Sequence, residues 1–428
     1  MAAQLPGSKM ATSIECAVVG TGPTGLAAAL ALAAAGAEVA LIGPRPKPAG
    51  GRDETRTAAL FPGSLNLLRN LGAWSAAAET GAPIAAIRLI DDTGRLLRAP
   101  EVLFEARDIG RDSFGCNVPN DALVAELAAR ISSPGGPAWI ETAKVAAVEA
   151  DSDLVRLHLA EGGTFETRLL VAADGRNSIC RTAAAISTRS WTSNQTALVA
   201  GFAHARPHHG ISTEFHRSAG PLTTVPLPGR TSSLVWVERP QTAERLGVLN
   251  DAEFAAALET RLQGLLGPVE RTGPRRLYPL SGHVADRFAR NRAMLVGEAG
   301  HGLPPIGAQG LNLGLRDVAV LAETVADARA KGQDIGSAAV LDAYHARRVP
   351  DVALRTWGVD FLNKTLISGL LPVHLARGAG LHLLKAIAPL RRLVMRQGLT
   401  APGPEPRLMR RPDNRSLSSS AARLETAL

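Results

Sequence analysis

The amino-acid sequence predicts an α/β fold with three parts: an N-terminal β-α-β unit, an inserted antiparallel β-sheet and C-terminal helices. Three observations support this prediction. An apolar run, a glycine-rich turn and a helix of mostly Ala and Leu open the chain at residues 14–42. Short strand-like runs separated by Pro and Gly fill residues 197–237. Leucines recur near helical spacing between residues 361 and 399.

Composition excludes several classes of protein. The 428 residues are too many for one small core and fit two or three packed parts. The net charge of +8 is spread over single and paired arginines without interleaved aromatic residues, which argues against a nucleic-acid-binding platform. The three cysteines, Cys16, Cys116 and Cys180, show no ligand spacing, so neither a disulfide framework nor a metal site is predicted.

The first motif is Gly-Thr-Gly-Pro-Thr-Gly at residues 20–25, between a strand predicted at 14–19 and a helix predicted to end near residue 35. A second strand is predicted at 38–42. Glycines at this spacing permit a tight turn, close approach of the backbone to a pyrophosphate, and packing of the helix on the strand. The motif therefore predicts a dinucleotide site, and its place between strand and helix disfavours a glycine turn that binds nothing.

The end of the second predicted strand departs from this pattern. A carboxylate usually receives the ribose hydroxyls there, whereas this chain has Gly43, Pro44 and Arg45. Either backbone carbonyls replace the carboxylate or the cofactor is held less tightly.

Two further motifs lie where predicted strands end. A strand at 169–173 runs into Asp174 and Gly175, with Ser178 and Arg181 beyond, which alone favours a solvated turn. A strand at 293–296 runs into a loop at 297–309, too rich in Gly and Pro to be regular, before a helix from Leu311. The start of that helix presents unpaired N–H groups and the positive end of its dipole, which favours a phosphate or a ring that becomes anionic.

In this order the three motifs resemble the pattern of the group A FAD-dependent aromatic monooxygenases. Over nearly its whole length the chain is similar to the branch that hydroxylates ubiquinone precursors, with matches in the segments RTAAL at 56–60 and QGLNLGLRD at 309–317. The resemblance implies a Rossmann-like FAD-binding domain of the hydroxybenzoate-hydroxylase type, an inserted antiparallel β-sheet substrate domain and C-terminal helices. Glu298, where the family usually has Asp, is a departure.

The resemblance also implies the site residues. Those expected to bind FAD are Gly20, Gly22, Pro23, Thr24, Gly25, Arg56, Asn120, Asp174, Gly175, Gly297, Glu298, Gly307, Gln309, Gly310, Leu311 and Asn312. Backbone groups of the last three are expected to stabilise the anionic flavin ring. Pro304, Pro305 and Ile306 are expected to line the place where the flavin and the substrate ring meet. No side chain is expected to act as a catalytic acid or base, and His301 is expected to be structural.

For the reaction, the resemblance implies that NAD(P)H reduces FAD, that O₂ forms a flavin C4a-hydroperoxide, and that this transfers oxygen to an electron-rich ring. A partner protein that supplies the electrons is the alternative to NAD(P)H. The expected substrate is a polyprenylated phenol or quinol. The tyrosine pair of hydroxybenzoate hydroxylases is not expected, because the chain has only Tyr278 and Tyr344. No tryptophan lies in a WxWxIP pattern, which argues against a flavin halogenase.

These motifs divide the chain into predicted segments. They are FAD-binding parts at 12–82, 101–182 and 278–350, a hairpin of the substrate region at 83–100 that turns around residues 91–94, an antiparallel-sheet substrate domain at 183–277, C-terminal helices at 351–400 and a disordered tail at 401–428. One face of this sheet is expected to cover the substrate pocket. Because only 4% of the residues are aromatic, the pocket is expected to be lined by aliphatic side chains, although these could equally be plain core packing.

The C-terminal helices carry six Lys and Arg residues among their leucines: Lys364, Arg377, Lys385, Arg391, Arg392 and Arg396. This pattern fits a basic amphipathic pair on an anionic bilayer and, equally, helices docked on the core. Residues 1–15 lack the apolar core of a signal peptide, and no apolar run is long enough to span a bilayer. We expect a cytoplasmic protein, either soluble or peripheral on the inner face of the inner membrane.

A second function from another class stays open at this point. Gly43 and Glu298 hint at a catalytically silent FAD-fold scaffold that serves in a ubiquinone-biosynthesis complex. The monooxygenase is favoured, because an intact glycine motif and a glycine-lined helix start would otherwise have little reason to coexist.

Overall fold

The computed structural model describes residues 12–46, 56–94, 99–304, 308–367, 371–399 and 403–411. The strands are β1 Thr12–Val19, β2 Val39–Ile42, β3 Thr57–Leu60, β4 Ala82–Pro83, β5 Ala86–Asp91, β6 Val102–Glu105, β7 Cys116–Pro119, β8 Ala138–Ile140, β9 Val145–Ala150, β10 Val155–Leu159, β11 Thr164–Ala172, β12 Thr188–His204, β13 Ile211–His216, β14 Leu222–Leu227, β15 Thr231–Glu238, β16 Val269–Thr272, β17 Arg276–Ala285, β18 Ala289–Arg290, β19 Ala293–Leu295 and β20 His301–Gly302.

The helices are α1 Pro23–Ala34, α2 Pro62–Asn70, α3 Ala76–Glu79, α4 Asn120–Ile131, α5 Ile179–Ala183, α6 Pro240–Val248, α7 Asp251–Leu262, α8 Gln309–Ala330, α9 Ala338–Ile367, α10 Leu371–Ala386 and α11 Ala388–Leu399. Single 3₁₀ turns lie at Ala106–Ile109, Gly297–Ala299 and Arg407–Met409.

The first sheet confirms the predicted α/β class. Its strands run in the order β18-β19-β11-β1-β2-β8, and β1 pairs in parallel with both β11 and β2. The crossover helix α1 is composed mainly of Ala and Leu, and its residues from Gly25 to Leu32 are all buried. Such a helix has no polar face, because the sheet, α4 and α8 surround it. The parallel strands β1, β11 and β19 therefore end at one edge of the sheet.

The second sheet is formed by the central part of the chain and confirms the predicted inserted antiparallel sheet. Its strands run in the order β20-β17-β12-β15-β14-β13-β5-β6, and β16 also pairs with β12. All these pairs are antiparallel except β13 with β5. β5 does pair with a following strand, but that strand begins at Val102. The second strand of the predicted hairpin falls on residues 95–98, which lie outside the described residues, so the hairpin stays a prediction.

The sequence interpretation missed the two helices of this inserted region, α6 and α7. Both carried recognisable signals. Pro240 occupies the first turn of α6. Asn250 and Glu253 form a capping box at the start of α7, whose Phe254, Leu258 and Leu262 recur every fourth residue and are buried. These three side chains form a core with Trp236 of the sheet.

The loop after β19 is more regular than predicted. Gly297 begins a 3₁₀ turn, and the two residues of β20 pair with β17 at Val284 and His283. The prediction of irregular structure was therefore wrong for residues 297–302. Because β20 belongs to the second sheet and β19 to the first, this short loop joins the two sheets. Pro305, Ile306 and Gly307 lie outside the described residues.

The C-terminal part forms α9, α10 and α11 and then returns to the first domain. α11 docks through the buried Met395 onto a core that includes Phe104 and Phe114. The tail was predicted to be disordered from residue 401, but residues 403–411 pack on α2 and α8. Met409 is buried, and Arg407 pairs with Glu323 at 2.9 Å. Residues 412–428 lie outside the described residues. None of the helices described is long and apolar enough to span a bilayer.

Candidate active site and cofactor cleft

A cleft of about 650 Å³ opens at the carboxyl edge of the first sheet, between the N-termini of α1 and α8. In open α/β sheets this edge is where ligands bind. The cleft is lined by Gly22, Pro23, Thr24, Gly25, Pro46, Arg56, Asn120, Asp121, Val124, Ala173, Gly175, Val296, Gly297, Glu298, Gly310 and Leu311. All three sequence motifs therefore meet in one cavity.

Each glycine of the first motif has a different geometry. A Cβ atom on Gly20, which has φ +117°, would lie 2.2 Å from the carbonyl oxygen of Ala173 at the end of β11. One on Gly25 would lie 2.0 Å from the carbonyl oxygen of Gly20. Gly22 instead faces open space, with nothing within 4 Å of such an atom. Gly20 and Gly25 are thus required by packing, while Gly22 leaves room for a ligand.

The N-terminus of α1 is left without a side-chain cap. Gly22 is the N-cap and Pro23 occupies the first turn. The remaining first-turn N–H groups have no helical partner, and the helix dipole adds positive potential in front of them. Because this end lines the cleft, it is suited to a phosphate or pyrophosphate.

The segment that begins at Asp174 connects β11, α5 and the loop after β19 beside the cleft. Its carboxylate accepts hydrogen bonds from the Ser178 hydroxyl at 2.5 Å and the Cys180 N–H at 3.2 Å, so it holds the start of α5. Arg181 donates to the carbonyl oxygen of Ala299 at 2.8 Å. The motif thereby ties α5 to the loop after β19. Burial, together with the neighbouring Asp174, raises the pKa of the Cys180 thiol well above its ordinary value.

The start of α8 is held by the side chain of Asn312. Its Oδ1 accepts from the Phe61 N–H at 2.8 Å and the Ser64 hydroxyl at 2.7 Å. Its Nδ2 donates to the carbonyl oxygens of Ala59 at 2.8 Å and Ala308 at 2.7 Å. Asn312 is 7% exposed, so its side chain anchors α8 to β3 and α2, while Gly310 and Leu311 of the same turn line the cleft.

Asp317 fixes the other side of the same loop. Its carboxylate accepts from the Gly297 N–H at 2.8 Å, lies 2.6 Å from His301 Nε2, and accepts from Arg348 Nε at 2.7 Å. Burial opposes ionisation of Asp317, but His301, Arg348 and the Gly297 N–H outweigh it and lower the pKa of the carboxyl below its ordinary value. His301 is buried and does not line the cleft.

Polar side chains of three further residues also lie at the cleft. Asn120 begins α4, and its Oδ1 is buried without a hydrogen-bond partner. Arg56 precedes β3 and lines the cleft beside it. Glu298 is exposed into the cleft, and its backbone carbonyl accepts from His283 at 2.8 Å. The unpaired Asn120 Oδ1 and the exposed carboxylate of Glu298 suit a ligand with hydroxyl or amide donors, such as a ribityl chain.

At the end of β2, Gly43 has φ +148°, and a Cβ there would lie 3.0 Å from Thr21 Cγ2. Its carbonyl oxygen accepts from the Trp139 indole N–H at 3.1 Å, and the Arg45 guanidinium stacks 4.7 Å from the centre of the Trp139 ring system. At the position where the usual pattern has a carboxylate, this chain therefore has a turn whose backbone favours glycine.

The predicted residues fall into three groups. Those that line the cleft are Gly22, Pro23, Thr24, Gly25, Arg56, Asn120, Gly175, Gly297, Glu298, Gly310 and Leu311. Those that are described but do not line the cleft are Gly20, Asp174, Pro304, Gln309 and Asn312. Pro305, Ile306 and Gly307 lie outside the described residues. The sequence interpretation missed the lining residues Pro46, Asp121, Val124, Ala173 and Val296.

Metal chemistry finds no support in the described part of the chain, where no group of three or more His, Cys, Asp or Glu residues could hold an ion. His208, in the loop before β13, lies 2.9 Å from the carbonyl oxygen of Leu227 through Nε2 and accepts from the Gly210 N–H through Nδ1.

A cofactor cleft at the carboxyl edge of a parallel sheet, with an inserted antiparallel sheet above it, defines the class of FAD-dependent monooxygenases. A family model described as FAD binding domain matches residues 13–355, and the chain belongs to this family. It is an FAD-dependent flavoprotein oxidoreductase of the monooxygenase type.

Known relatives agree with this assignment. The ubiquinone hydroxylase UbiL of Rhodospirillum rubrum is 37% identical over 399 residues, which cover 92% of each chain. The 3-demethoxyubiquinol 3-hydroxylase of Escherichia coli is 28% identical, over 90% of this chain and 98% of that protein. The crystal structure of p-nitrophenol 4-monooxygenase PnpA from Pseudomonas putida superposes with a TM-score of 0.74 at 19% identity, over 92% of this chain and all of that chain, and shows that the fold is shared.

Proposed function

We propose that this enzyme hydroxylates the aromatic ring of a polyprenylated phenol or quinol in ubiquinone biosynthesis, with O₂ as oxidant and NAD(P)H as electron donor. The observation that carries the proposal is the similarity over 92% of the chain to a ubiquinone hydroxylase, combined with a cleft whose shape and donors fit FAD.

The residues present fit this cofactor. The uncapped start of α1 would receive the pyrophosphate, and the open side of Gly22 would let it approach. Asn120 Oδ1, which has no internal partner, and Glu298 would accept from hydroxyl groups of the ribityl chain. The N–H groups at Gly310 and Leu311 would face the pyrimidine edge of the ring and stabilise negative charge on it. The bound flavin would supply the oxygen chemistry.

The protein's contribution to the reaction is positioning and exclusion of water. The anchors at Asn312 and Asp317 fix the start of α8 and the loop after β19, so the N–H groups that face the ring need little reorganisation. Pro304, which is buried, and the following Pro305 and Ile306 are proposed to form the boundary between flavin and substrate. A phenol or quinol activates its own ring, so no side-chain base is required.

The C-terminal helices support a peripheral location on an anionic membrane. Residues 371–399 contain five Lys or Arg residues and no Asp or Glu. While Met395 docks α11, the aliphatic side chains of Leu383, Ile387, Leu393 and Val394 stay 41% to 52% exposed. A surface that combines exposed aliphatics with basic residues binds anionic lipid. This location suits a polyprenylated substrate and would bring the enzyme to other members of a ubiquinone-biosynthesis complex.

The first experiment is the visible spectrum of the purified protein, followed by release and identification of the flavin. Stoichiometric FAD, oxidation of NAD(P)H that depends on a prenylphenol, and incorporation of isotopically labelled O₂ into the product would support the proposal. Tight FAD binding without electrons from NADH or NADPH would point to a protein donor. A colourless protein that takes up no added FAD would replace the proposal with a catalytically silent scaffold.

A further inference from the structure

A second cavity, of about 220 Å³, lies between α8, α9 and the C-terminal segment at residues 403–411. Its lining residues are Arg316, Val320, Ala346, Arg347, Arg348, Pro350, Asp351, Gly403, Pro404 and Pro406. None of them lines the cofactor cleft. The cavity is therefore a separate feature of the fold.

Positive charge dominates the walls of this cavity. Three arginines line it, and Asp351 is the sole carboxylate among its described lining residues. Asp351 Oδ2 accepts from Arg348 Nη1 at 3.0 Å and lies 3.4 Å from Arg316 Nε, and Oδ1 accepts from Arg355 Nε at 3.1 Å. One carboxylate, itself 2% exposed, is thus shared by three guanidinium groups.

Arg348 retains an unused donor. Its side chain is 1% exposed, and its Nη2 is buried without a hydrogen-bond partner. Its other carboxylate partner, Asp317, is also occupied by His301 and the Gly297 N–H. A buried guanidinium N–H without an acceptor is costly, so this atom needs an acceptor that the described residues do not supply.

Arg316 lies among groups of both charges. Burial lowers the pKa of its guanidinium, and Arg355 and Arg348 lower it further, while Asp351 and Glu405 oppose this. Arg347, in contrast, pairs with Glu323 across the helix interface. Among the described lining residues, three guanidinium groups therefore face the single carboxylate of Asp351.

We propose that this cavity binds a small oxyanion, a phosphate in the form of inorganic phosphate or a phosphate monoester. Guanidinium groups match the oxygen geometry of phosphate with paired N–H donors, and an anion supplies the charge that a water molecule cannot. The volume holds one phosphate with a few water molecules. The site is built by three elements, α8, α9 and the segment at 403–411, and it does not depend on the proposed ring hydroxylation.

The test uses the full chain saturated with FAD, so that the pyrophosphate position of the main cleft is filled. Isothermal titration with inorganic phosphate, in a chloride buffer of constant ionic strength, should give saturable binding of one anion per chain. Arg316→Gln should weaken this binding by roughly tenfold or more, because it removes a charged hydrogen-bond donor. Arg189→Gln, which removes an exposed arginine of β12, should leave it unchanged.

A second variant keeps every charge and fills the space. Ala346 is exposed at the cavity lining, so Ala346→Leu should fold normally and also weaken phosphate binding. A titration with glycerol 3-phosphate distinguishes a phosphate monoester from inorganic phosphate as the ligand. Tighter binding of glycerol 3-phosphate than of phosphate assigns the site to a monoester, and binding of phosphate alone assigns it to the free ion. No saturable binding, or equal binding in the wild type, Arg316→Gln and Ala346→Leu, would overturn the proposal and leave a water-filled cavity.

Discussion

Arg348 on α9 donates through Nε to Oδ1 of Asp317 on α8 at 2.7 Å, and each side chain is only 1% exposed. The other oxygen of Asp317 holds the Gly297 N–H and His301, which belong to the loop that forms the floor of the cofactor cleft. This ion pair therefore connects the long C-terminal helix to the cleft. Burial opposes the charge of Arg348, but Asp317 and Asp351 raise the pKa of its guanidinium above the ordinary value.

Replacing Asp317 by Asn should destabilise the protein strongly. The variant removes one of the two carboxylates that balance the buried charge of Arg348, and breaking such a buried pair costs about 3–5 kcal/mol. FAD should also bind more weakly, because the Gly297 N–H loses a charged acceptor. Denaturant unfolding and FAD titration measure the two effects. Asp327→Asn is a control on the same helix: its ion pair with Arg407 is half-exposed, and its loss should cost no more than about 1 kcal/mol. Equal losses in both variants would contradict the prediction.

Asn312→Asp should damage the start of α8 specifically. The carboxylate keeps the two acceptor contacts but places negative charge against the carbonyl oxygens of Ala59 and Ala308. We expect a loss of about 2–3 kcal/mol in unfolding free energy and a shifted absorption spectrum of bound FAD. Asn70→Asp is the control, because it loses two comparable hydrogen bonds, to the carbonyl oxygens of Leu408 and Arg410, at an exposed position. It should change neither the unfolding free energy nor the FAD spectrum by much. An unaltered flavin spectrum in Asn312→Asp would argue against the anchoring role.

A carboxylate introduced at Gly43 should weaken FAD binding, although relatives of the dinucleotide-binding pattern carry one there. The backbone has φ +148° and a Cβ would press on Thr21, so any side chain strains the turn by about 1–3 kcal/mol. Gly43→Ala, compared with Gly43→Glu in FAD titrations, separates strain from charge. Tighter binding in Gly43→Glu than in wild type would show that the turn rearranges to accept the carboxylate.

His283 should make the protein sensitive to acid. Burial, together with Arg176 and Arg181, lowers its pKa, although the bond to the Glu298 carbonyl acts in the opposite direction. His283 therefore binds a proton more tightly in the unfolded chain than in the folded one. The stability that the neutral His283 contributes is fully present above a pH of about 6.5 and is lost as the pH falls through the lower pKa of the folded state. The melting temperature should fall less between about pH 7 and pH 5 in His283→Gln than in wild type. An identical decrease in the two proteins would contradict this.

The C-terminal surface should bind vesicles that contain anionic lipid. Leu393→Gln combined with Val394→Gln should reduce sedimentation with phosphatidylglycerol vesicles by roughly tenfold or more, because two exposed aliphatic side chains are lost. Binding of the wild type should also weaken as salt is added. Val248→Gln, at a residue 84% exposed on α6, is the matched control and should behave as wild type. Equal binding to neutral and anionic vesicles would count against the role of the basic residues.

The sequence by itself determined the class of this protein. Gly20, Gly22 and Gly25 occupy their positions for local reasons of backbone geometry, and these reasons can be inferred from spacing between a strand and a helix. The alternating and helical apolar patterns likewise determine which strands and helices form. The helices α6 and α7 were missed, even though the sequence contains the capping box at Asn250 and apolar residues at every fourth position from Phe254 to Leu262.

Only the tertiary structure decided how those segments meet. The contact of Arg348 with Asp317 spans 31 residues, and that of Asn312 with Phe61 spans 251, so no local pattern could reveal them. The pairing of β20 with β17 and the return of Met409 to the core are also set by packing between distant segments. Local propensity is read from neighbours in sequence, whereas the cleft and the arginine-lined cavity are made by side chains brought together when apolar surfaces are buried.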